Sequence, residues 1–273
     1  MGPKVLPPTP APLAQSANLA HLAIIMDGNG RWAELRGRNR AFGHMKGARV
    51  AREMIEACAE LGIRQLTLYA FSTENWMRPA QEVSFLMTLL ARHLRRERKD
   101  LIKQNIRFSV IGDSARLPDS VQAEVRQTIQ DTQNCTGMSL TFALSYGSRQ
   151  EITHALRSIV SDVAAGRLDA STINEDLIHQ RLETAAMPDL DLVIRTSGEF
   201  RLSNFLLWQA AYSELYVTPT LWPDFSRSEL AAAIEQFSQR SRRFGKTSDQ
   251  IPRPPDINRS KLGGASTNVS LVR

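Results

Sequence analysis

Cysteine is almost missing from this chain: Cys58 and Cys135 are the two in 273 residues. Their spacing fits no metal site and is too sparse for a disulfide framework, which predicts two free thiols in a reducing compartment. Long apolar runs are missing too. No stretch approaches the roughly 20 apolar residues that a membrane-spanning helix needs. The opening MGPKVLPPTPAPLAQSANLA lacks the apolar segment of a secretory signal, and Leu6 stands where a myristoylation site wants Ser or Thr. The expectation is a cytoplasmic chain that reaches a membrane at its surface at most. Internal repeats are absent. Acidic residues are in deficit, 28 against 34 Lys plus Arg, leaving a net charge of +6. That surplus suits anionic partners such as phosphorylated ligands.

What is present is ordinary globular composition, 42% hydrophobic and 23% charged, enough for one sizeable core. Residues 1–18 read as a disordered N-terminal arm and 248–273 as a flexible tail, flanking a body at 19–247. Strand-like runs fall at Leu22–Met26, Gln65–Phe71, Ile106–Ile111, Ser139–Ser145, Asp191–Arg195 and Leu215–Val217. Helix-like stretches fall between them, at His44–Leu61, Val83–Asn105, Asp119–Asn134, Ser148–Ala165 and Asn204–Tyr212. Val50, Met54, Cys58 and Leu61 share one face of the first. The alternation predicts an α/β domain with a mainly parallel six-stranded sheet flanked by helices. The charged run Arg92 to Asp100 reads as a solvated helix face.

In such a sheet, ligands bind beyond the carboxyl ends of the strands. The first strand ends in Asp27-Gly28-Asn29-Gly30-Arg31 and the fifth in Arg195 to Ser203. A dinucleotide fingerprint is a poor match there: Glu53 has the spacing of its acid but lies inside a helix-like segment, and Arg31 and Trp32 are bulky for the turn. A phosphate loop ending at Gly245-Lys246-Thr247 fails because Arg240 replaces its first glycine. A pyrophosphate site fits better. Glycines expose backbone N–H groups, and Arg31, Arg40, Arg195 and Arg201 offer planar forks for phosphate oxygens. Ser203 lies two residues beyond Arg201, on the same side of an extended turn. Asp27, the one acid in this set, suits Mg²⁺ bridging to a diphosphate; by position alone it also reads as a helix N-cap.

Taken together, HLAIIMDGNGRWA, RAFGH, LTLYAFSTENWMRP, DLVIRTSGEFRLSNFLLWQAAYSELY and LWPDF resemble the cis-prenyltransferases of the undecaprenyl diphosphate synthase type, in order and spacing, from about His21 to Gly245. The resemblance implies repeated condensation of isopentenyl diphosphate onto an allylic diphosphate such as farnesyl diphosphate, with Z double bonds and a hydrophobic product tunnel. It implies Mg²⁺ held by Asp27 and Glu214, and a homodimer that contacts the membrane only for product release and binds no nucleic acid. Asp27, His44, Ser72 and Asn75 take catalytic positions. Gly28, Asn29, Gly30, Arg31, Trp32 and Arg40 would bind the allylic diphosphate, and Arg195, Arg201 and Ser203 the isopentenyl diphosphate. Thr73, Glu74, Trp76, Arg78 and Glu82 fall on the segment read as a closing loop. His44 alone also reads as a structural histidine, and Trp76 alone as a core aromatic.

The family often has Asn-Tyr-Gly-Gly-Arg where this chain has Ser145-Tyr146-Gly147-Ser148-Arg149. Within the same fold, a shorter or irregular product and a non-catalytic partner subunit are the alternatives. The strand face of Met138, Leu140, Phe142 and Leu144 predicts Met138 as the tunnel floor, opposite Val83, Leu86, Leu89 and Leu90.

Overall fold

The structure, a computed structural model, describes Ala14 and residues 17–240. Most of the predicted N-terminal arm, all of the C-terminal tail and the last residues of the predicted body lie outside the described residues. Ordered packing nevertheless reaches into the arm. Ala14 is buried, its N–H donates to Leu61 O, and its carbonyl accepts from Leu19 N–H.

Six strands, β1 (His21–Ile25), β2 (Gln65–Ser72), β3 (Arg107–Ile111), β4 (Ser139–Tyr146), β5 (Leu192–Arg195) and β6 (Glu214–Val217), form one sheet in the order β3-β4-β2-β1-β5-β6. Every pairing is parallel. The predicted α/β class therefore stands. β1 is buried at all five positions, as a central parallel strand covered on both faces must be. From β1 the chain moves outward one way through β2 and the other way through β5. That reversal makes the crevice between β1 and β5 the switch point at which such sheets bind ligands.

The two faces are unequal. One carries Leu22, Ile24, Leu66, Leu68, Leu140 and Phe142 into the main core. There it meets α2 (Arg40–Glu60), α3 (Ala80–Lys103), α4 (Asp119–Thr132) and α7 (Arg227–Gln239). The other carries Ala23, Ile25, Ala143 and Val193 into a smaller cluster closed by Leu190, Phe205 and Leu206. α2 buries Val50, Met54 and Cys58 at helical spacing. It starts at Arg40, four residues before the predicted boundary, because the Asn39 side chain caps it by accepting from Phe42 N–H at 3.0 Å.

Three short or late helices escaped the sequence reading: α1 (Asn29–Glu34), α6 (Glu175–Gln180) and α7; α5 (Ser148–Ala164) did not. The helix expected over Asn204–Tyr212 does not form beyond a single turn, Gln209–Tyr212. Ser203, Asn204 and Leu206 take left-handed backbone there. Contacts to another element hold that shape: Ser148 N–H donates to Asn204 O at 2.8 Å, and Arg149 N–H to Asn204 Oδ1 at 2.9 Å. The charged run of α3 is solvated only in part. Arg95 and Arg96 are exposed, but Arg98 pairs with Glu124 and Asp131, and Glu97 is buried.

Candidate active site

Strand register assembles the first half of the site. Ile25 sits beside Arg195, so the loops leaving β1 and β5 open side by side. Thr196 stitches them, its Oγ1 donating to Asp27 O at 2.7 Å and accepting from Asp27 N–H at 2.9 Å. Asp27 Oδ2 accepts from Arg195 Nη2 at 2.8 Å and lies 3.3 Å from Arg31 Nη2. Burial alone would raise this carboxyl; the hydrogen bond and charge of Arg195, with the charge of Arg31, outweigh it and hold Asp27 below the ordinary carboxylate range. Arg195 is 3% exposed. Its Nη1 donates to Ser203 Oγ at 2.8 Å and to Arg201 O. Arg31 also donates to Ser197 Oγ and pairs with Glu199, which takes Arg201 as well.

Gly28 is needed for a definite reason. Its φ is +104°, and a side chain there would press on Leu221 at 2.8 Å. It turns the chain from β1 into α1. α1 then packs on α2 so closely that a Cβ on Gly43 would lie 1.9 Å from Asn29 O.

The second half lines the other rim of a cavity of about 330 Å³. Arg40, His44, Asn75 and Arg78 stand there with Asp27 and Arg31. Glu82 gathers three of these side chains: Arg40 Nε at 3.3 Å, Arg78 Nη1 at 3.1 Å and His44 Nε2 at 3.7 Å. Burial, then the charges of Arg78 and Arg40, push His44 down to about 4, so it is neutral near pH 7. Asn75 accepts from Ser72 N–H at 3.1 Å, and the Ser72 side chain caps the same turn. Behind the rim the walls are apolar, including Ala51, Ala70, Leu86, Leu90 and Phe142. Tyr69, Ala70 and Phe71 line it in succession. A regular strand would alternate them, but a bulge in the β2–β4 register falls between Tyr69 and Phe71.

Not every predicted residue arrives. Trp32 turns away, stacking on Phe42 and donating to Asp224 Oδ1 at 2.7 Å. Trp76 is pinned outside the cavity lining: its Nε1 donates to Ser145 Oγ at 3.0 Å, Arg116 lies over its ring, and Phe71 meets it edge-on. Glu74 serves Asn204, accepting from its Nδ2 at 3.0 Å, and Thr73 Oγ1 is buried without a partner among the described residues. Met138 is core and does not line the cavity; nor does Val83, whereas Leu86, Leu89 and Leu90 do. Within one chain Glu214 stands apart from Asp27: it begins β6 beside Leu192, at the amino-terminal end of the strands, whereas Asp27 lies beyond the carboxyl end of β1, and it holds Arg240 at 2.6 Å. Among the described residues no three His, Cys, Asp or Glu side chains gather as a metal cage. The donor set instead fits Mg²⁺ bound through one ionised carboxylate and a ligand's phosphates.

The sequence reading missed Thr196, Ser197, Glu199 as a bridge between arginines, and Tyr69, whose OH donates toward Tyr146 O and Ser203 O at 3.2 and 3.3 Å. Left-handed backbone at Ser145, Ser197, Ser203 and Asn204 concentrates strain here, a pattern typical of functional sites. Both departures in Ser145-Tyr146-Gly147-Ser148 find work. Ser145 tethers Trp76, and Ser148 Oγ accepts from Leu207 N–H at 3.0 Å.

A parallel sheet that gathers arginines and one ionised carboxylate at its switch point, over an apolar cavity, defines an α/β protein built for a ligand with an anionic head and a hydrocarbon tail. The chain belongs to the cis-prenyltransferase family and is an enzyme of that type. The family model described as "Putative undecaprenyl diphosphate synthase" matches residues 25–245. An isoprenyl transferase of Chlorobaculum tepidum is 52% identical over 231 residues, 85% of this chain and 87% of that protein. Among solved structures, lavandulyl diphosphate synthase from Lavandula x intermedia, in complex with dimethylallyl diphosphate, superposes with a TM-score of 0.83 at 38% identity, over 84% of this chain and 99% of that one. A probable undecaprenyl diphosphate synthase from Campylobacter jejuni gives 0.70 at 36% identity, with the same coverage.

Proposed function

We propose that this enzyme adds isopentenyl diphosphate repeatedly to an allylic diphosphate, farnesyl diphosphate being the expected primer, and makes undecaprenyl diphosphate with Z double bonds. One observation carries the reading: Asp27, ionised and shared by Arg195 and Arg31, stands at the mouth of an apolar cavity whose other rim holds Arg40 and Arg78. Gly28 to Arg31 with Arg40 bind the allylic diphosphate. Arg195, Arg201 and Ser203 bind that of isopentenyl diphosphate. Asp27 and the allylic diphosphate would hold Mg²⁺, which would supply charge neutralisation for the departing group. Breaking the allylic C–O bond develops negative charge on diphosphate, and fixed guanidinium donors stabilise that charge more than the ground state. The allylic carbon then bonds to isopentenyl diphosphate, and the proton lost from that substrate passes to the released diphosphate. His44 and the Asn75 amide offer neutral hydrogen-bonding groups beside the reacting carbons, while the cavity takes the lengthening tail as a product tunnel. The enzyme works in the cytoplasm as a homodimer and meets the membrane surface to release product.

The test is incubation of the purified chain with Mg²⁺, farnesyl diphosphate and labelled isopentenyl diphosphate, followed by sizing of the product. A ladder ending at undecaprenyl length supports the reading; no incorporation overturns it. A second reading, a shorter or irregular product, is favoured by the likeness to lavandulyl diphosphate synthase, and the same chromatogram separates the two. The intact Asp27 motif speaks against a non-catalytic partner subunit.

A further inference from the structure

Inside the apolar cavity stands one residue that does not belong with its neighbours. His93 lines it from α3, with its side chain 13% exposed. Burial and the charges of Arg96 and Arg52 push it down to about 4, so the imidazole is neutral at working pH. Its Nδ1 is 4.0 Å from Glu97 Oε1, beyond hydrogen-bond distance.

His93 is also the last residue of α3 to touch the cavity. It lies eleven residues past Glu82 at the rim, about 16 Å along a helix at 1.5 Å per residue. The facing helix ends its lining at the same depth. Ala51 is the last contact of α2, eleven residues past Arg40. The next residue, Arg52, reaches across: its Nε lies 3.3 Å from Glu97 Oε2 and 3.0 Å from Glu56 Oε1, and its Nη2 lies 2.7 Å from Asp100 Oδ2. Beyond these groups is a separate cavity of about 20 Å³, lined by Arg52, Glu97, Asp100 and Leu101 among others. A polar partition thus divides one interhelical seam into two cavities.

We propose that His93, backed by the Arg52–Glu97 pair, is the chain-length checkpoint of the tunnel. This inference rests on the transferase reading above and adds to it the residues that decide product size. A hydrocarbon gains by leaving water until its end meets the imidazole. To pass, it must displace the imidazole and then part Arg52 from Glu97, whose buried carboxylate would lose a partner. A short product stops in front of the partition; a chain of undecaprenyl length must push α2 and α3 apart here.

The measurement is the product-length distribution of the full chain with Mg²⁺, farnesyl diphosphate and labelled isopentenyl diphosphate, normalised to total isoprenoid incorporated. His93→Ala should shift the distribution at least one isoprene unit longer, and His93→Trp at least one unit shorter. If His93→Ala does not fold, His93→Trp alone decides. Folded, active variants with the parent's distribution overturn the checkpoint and leave the transferase reading standing. A parent that incorporates nothing overturns the transferase reading and the checkpoint with it.

Discussion

Arg195 divides one guanidinium between two tasks. Nη2 holds Asp27 and Nη1 holds Ser203, so its loss should disturb both proposed diphosphate positions. Arg201→Ala, by contrast, removes an exposed donor paired only with Glu199 among the described residues. Arg201→Ala should raise the KM for isopentenyl diphosphate about tenfold or more, the worth of about 1.5–3 kcal/mol for a charged hydrogen bond, with kcat little changed. Arg195→Ala should lower kcat as well, and steady-state kinetics with each substrate varied will show the split. Asp27→Ala should cut turnover by about 10² or more, the usual scale for losing one preorganised electrostatic group, while circular dichroism stays native. Three histidines set an acid limit. His21, His44 and His93 are each pushed down to about 4, chiefly by burial. His21 is 1% exposed and fully satisfied as a neutral ring, its Nδ1 donating to Pro188 O and its Nε2 accepting from Thr67 Oγ1. Below pH 6.5 the unfolded chain binds protons that the folded chain refuses. Stability therefore falls as pH drops from 6.5 toward 4 and levels off below it. From pH 6.5 to 5 one such histidine withdraws about 2 kcal/mol. Urea unfolding at pH 7 and pH 5 should show the loss, and His21→Gln should reduce it by one histidine's share, roughly a third, leaving that of His44 and His93.

Helix contacts, more than any single donor, hold the allylic half in place. α1 is a six-residue helix, too short to be stable alone, and it exists because α2 receives it at two glycines. Side chains on Gly43 and Gly47 would meet Asn29 O at 1.9 Å and Asn29 Oδ1 at 2.0 Å. Gly43→Ala should destabilise the fold by about 1–3 kcal/mol, the usual penalty of overpacking, and also weaken allylic substrate binding because α1 must move. Gly37→Ala makes the internal contrast: a Cβ there meets nothing within 4 Å, so only its left-handed backbone is taxed. Thermal melts paired with substrate affinities will distinguish the two. The segment Ser72–Glu82, read as a closing loop, is fastened at Trp76 to Ser145 and at Glu74 to Asn204. Closure would therefore have to pivot around those two contacts.

The whole molecule places its charge where its ligand's head would sit. Asp27 is held by Arg195 and Arg31 with no metal needed for the contact. Chelation with EDTA should therefore abolish turnover while leaving the melting temperature unchanged, and added Mg²⁺ should restore activity. A melting temperature that falls with EDTA would mean that the metal is structural. No helix of the described residues is long and apolar enough to cross a membrane.

Fold class and the anion site's parts were legible in the chain itself. All six strands, the parallel sheet and the paired Asp27 and Arg195 loops follow from local chemistry: apolar runs with β-branched residues, turn glycines, and arginines beside an acid. Each of these is written within a few consecutive positions. What lay beyond reach depended on distance through space. Asn204–Tyr212 has a helical pattern, yet backbone contacts from Ser148 and Arg149 hold it in left-handed turns. Trp32 and Trp76 look like ligand-facing aromatics, yet Asp224 and Ser145 claim their indole N–H groups. Met138 shares the alternating face of β4 that Phe142 presents to the cavity, but the cavity does not reach it. Glu214 follows the site's arginines closely in sequence, but it starts β6 and so lies at the amino-terminal end of the strands, away from Asp27. His93 sits in a charged run that reads as surface, and only the approach of α2 to α3 turns it into the cavity. Periodicity fixes which side of an element a residue occupies; which neighbour meets that side is decided by packing between elements far apart in the chain.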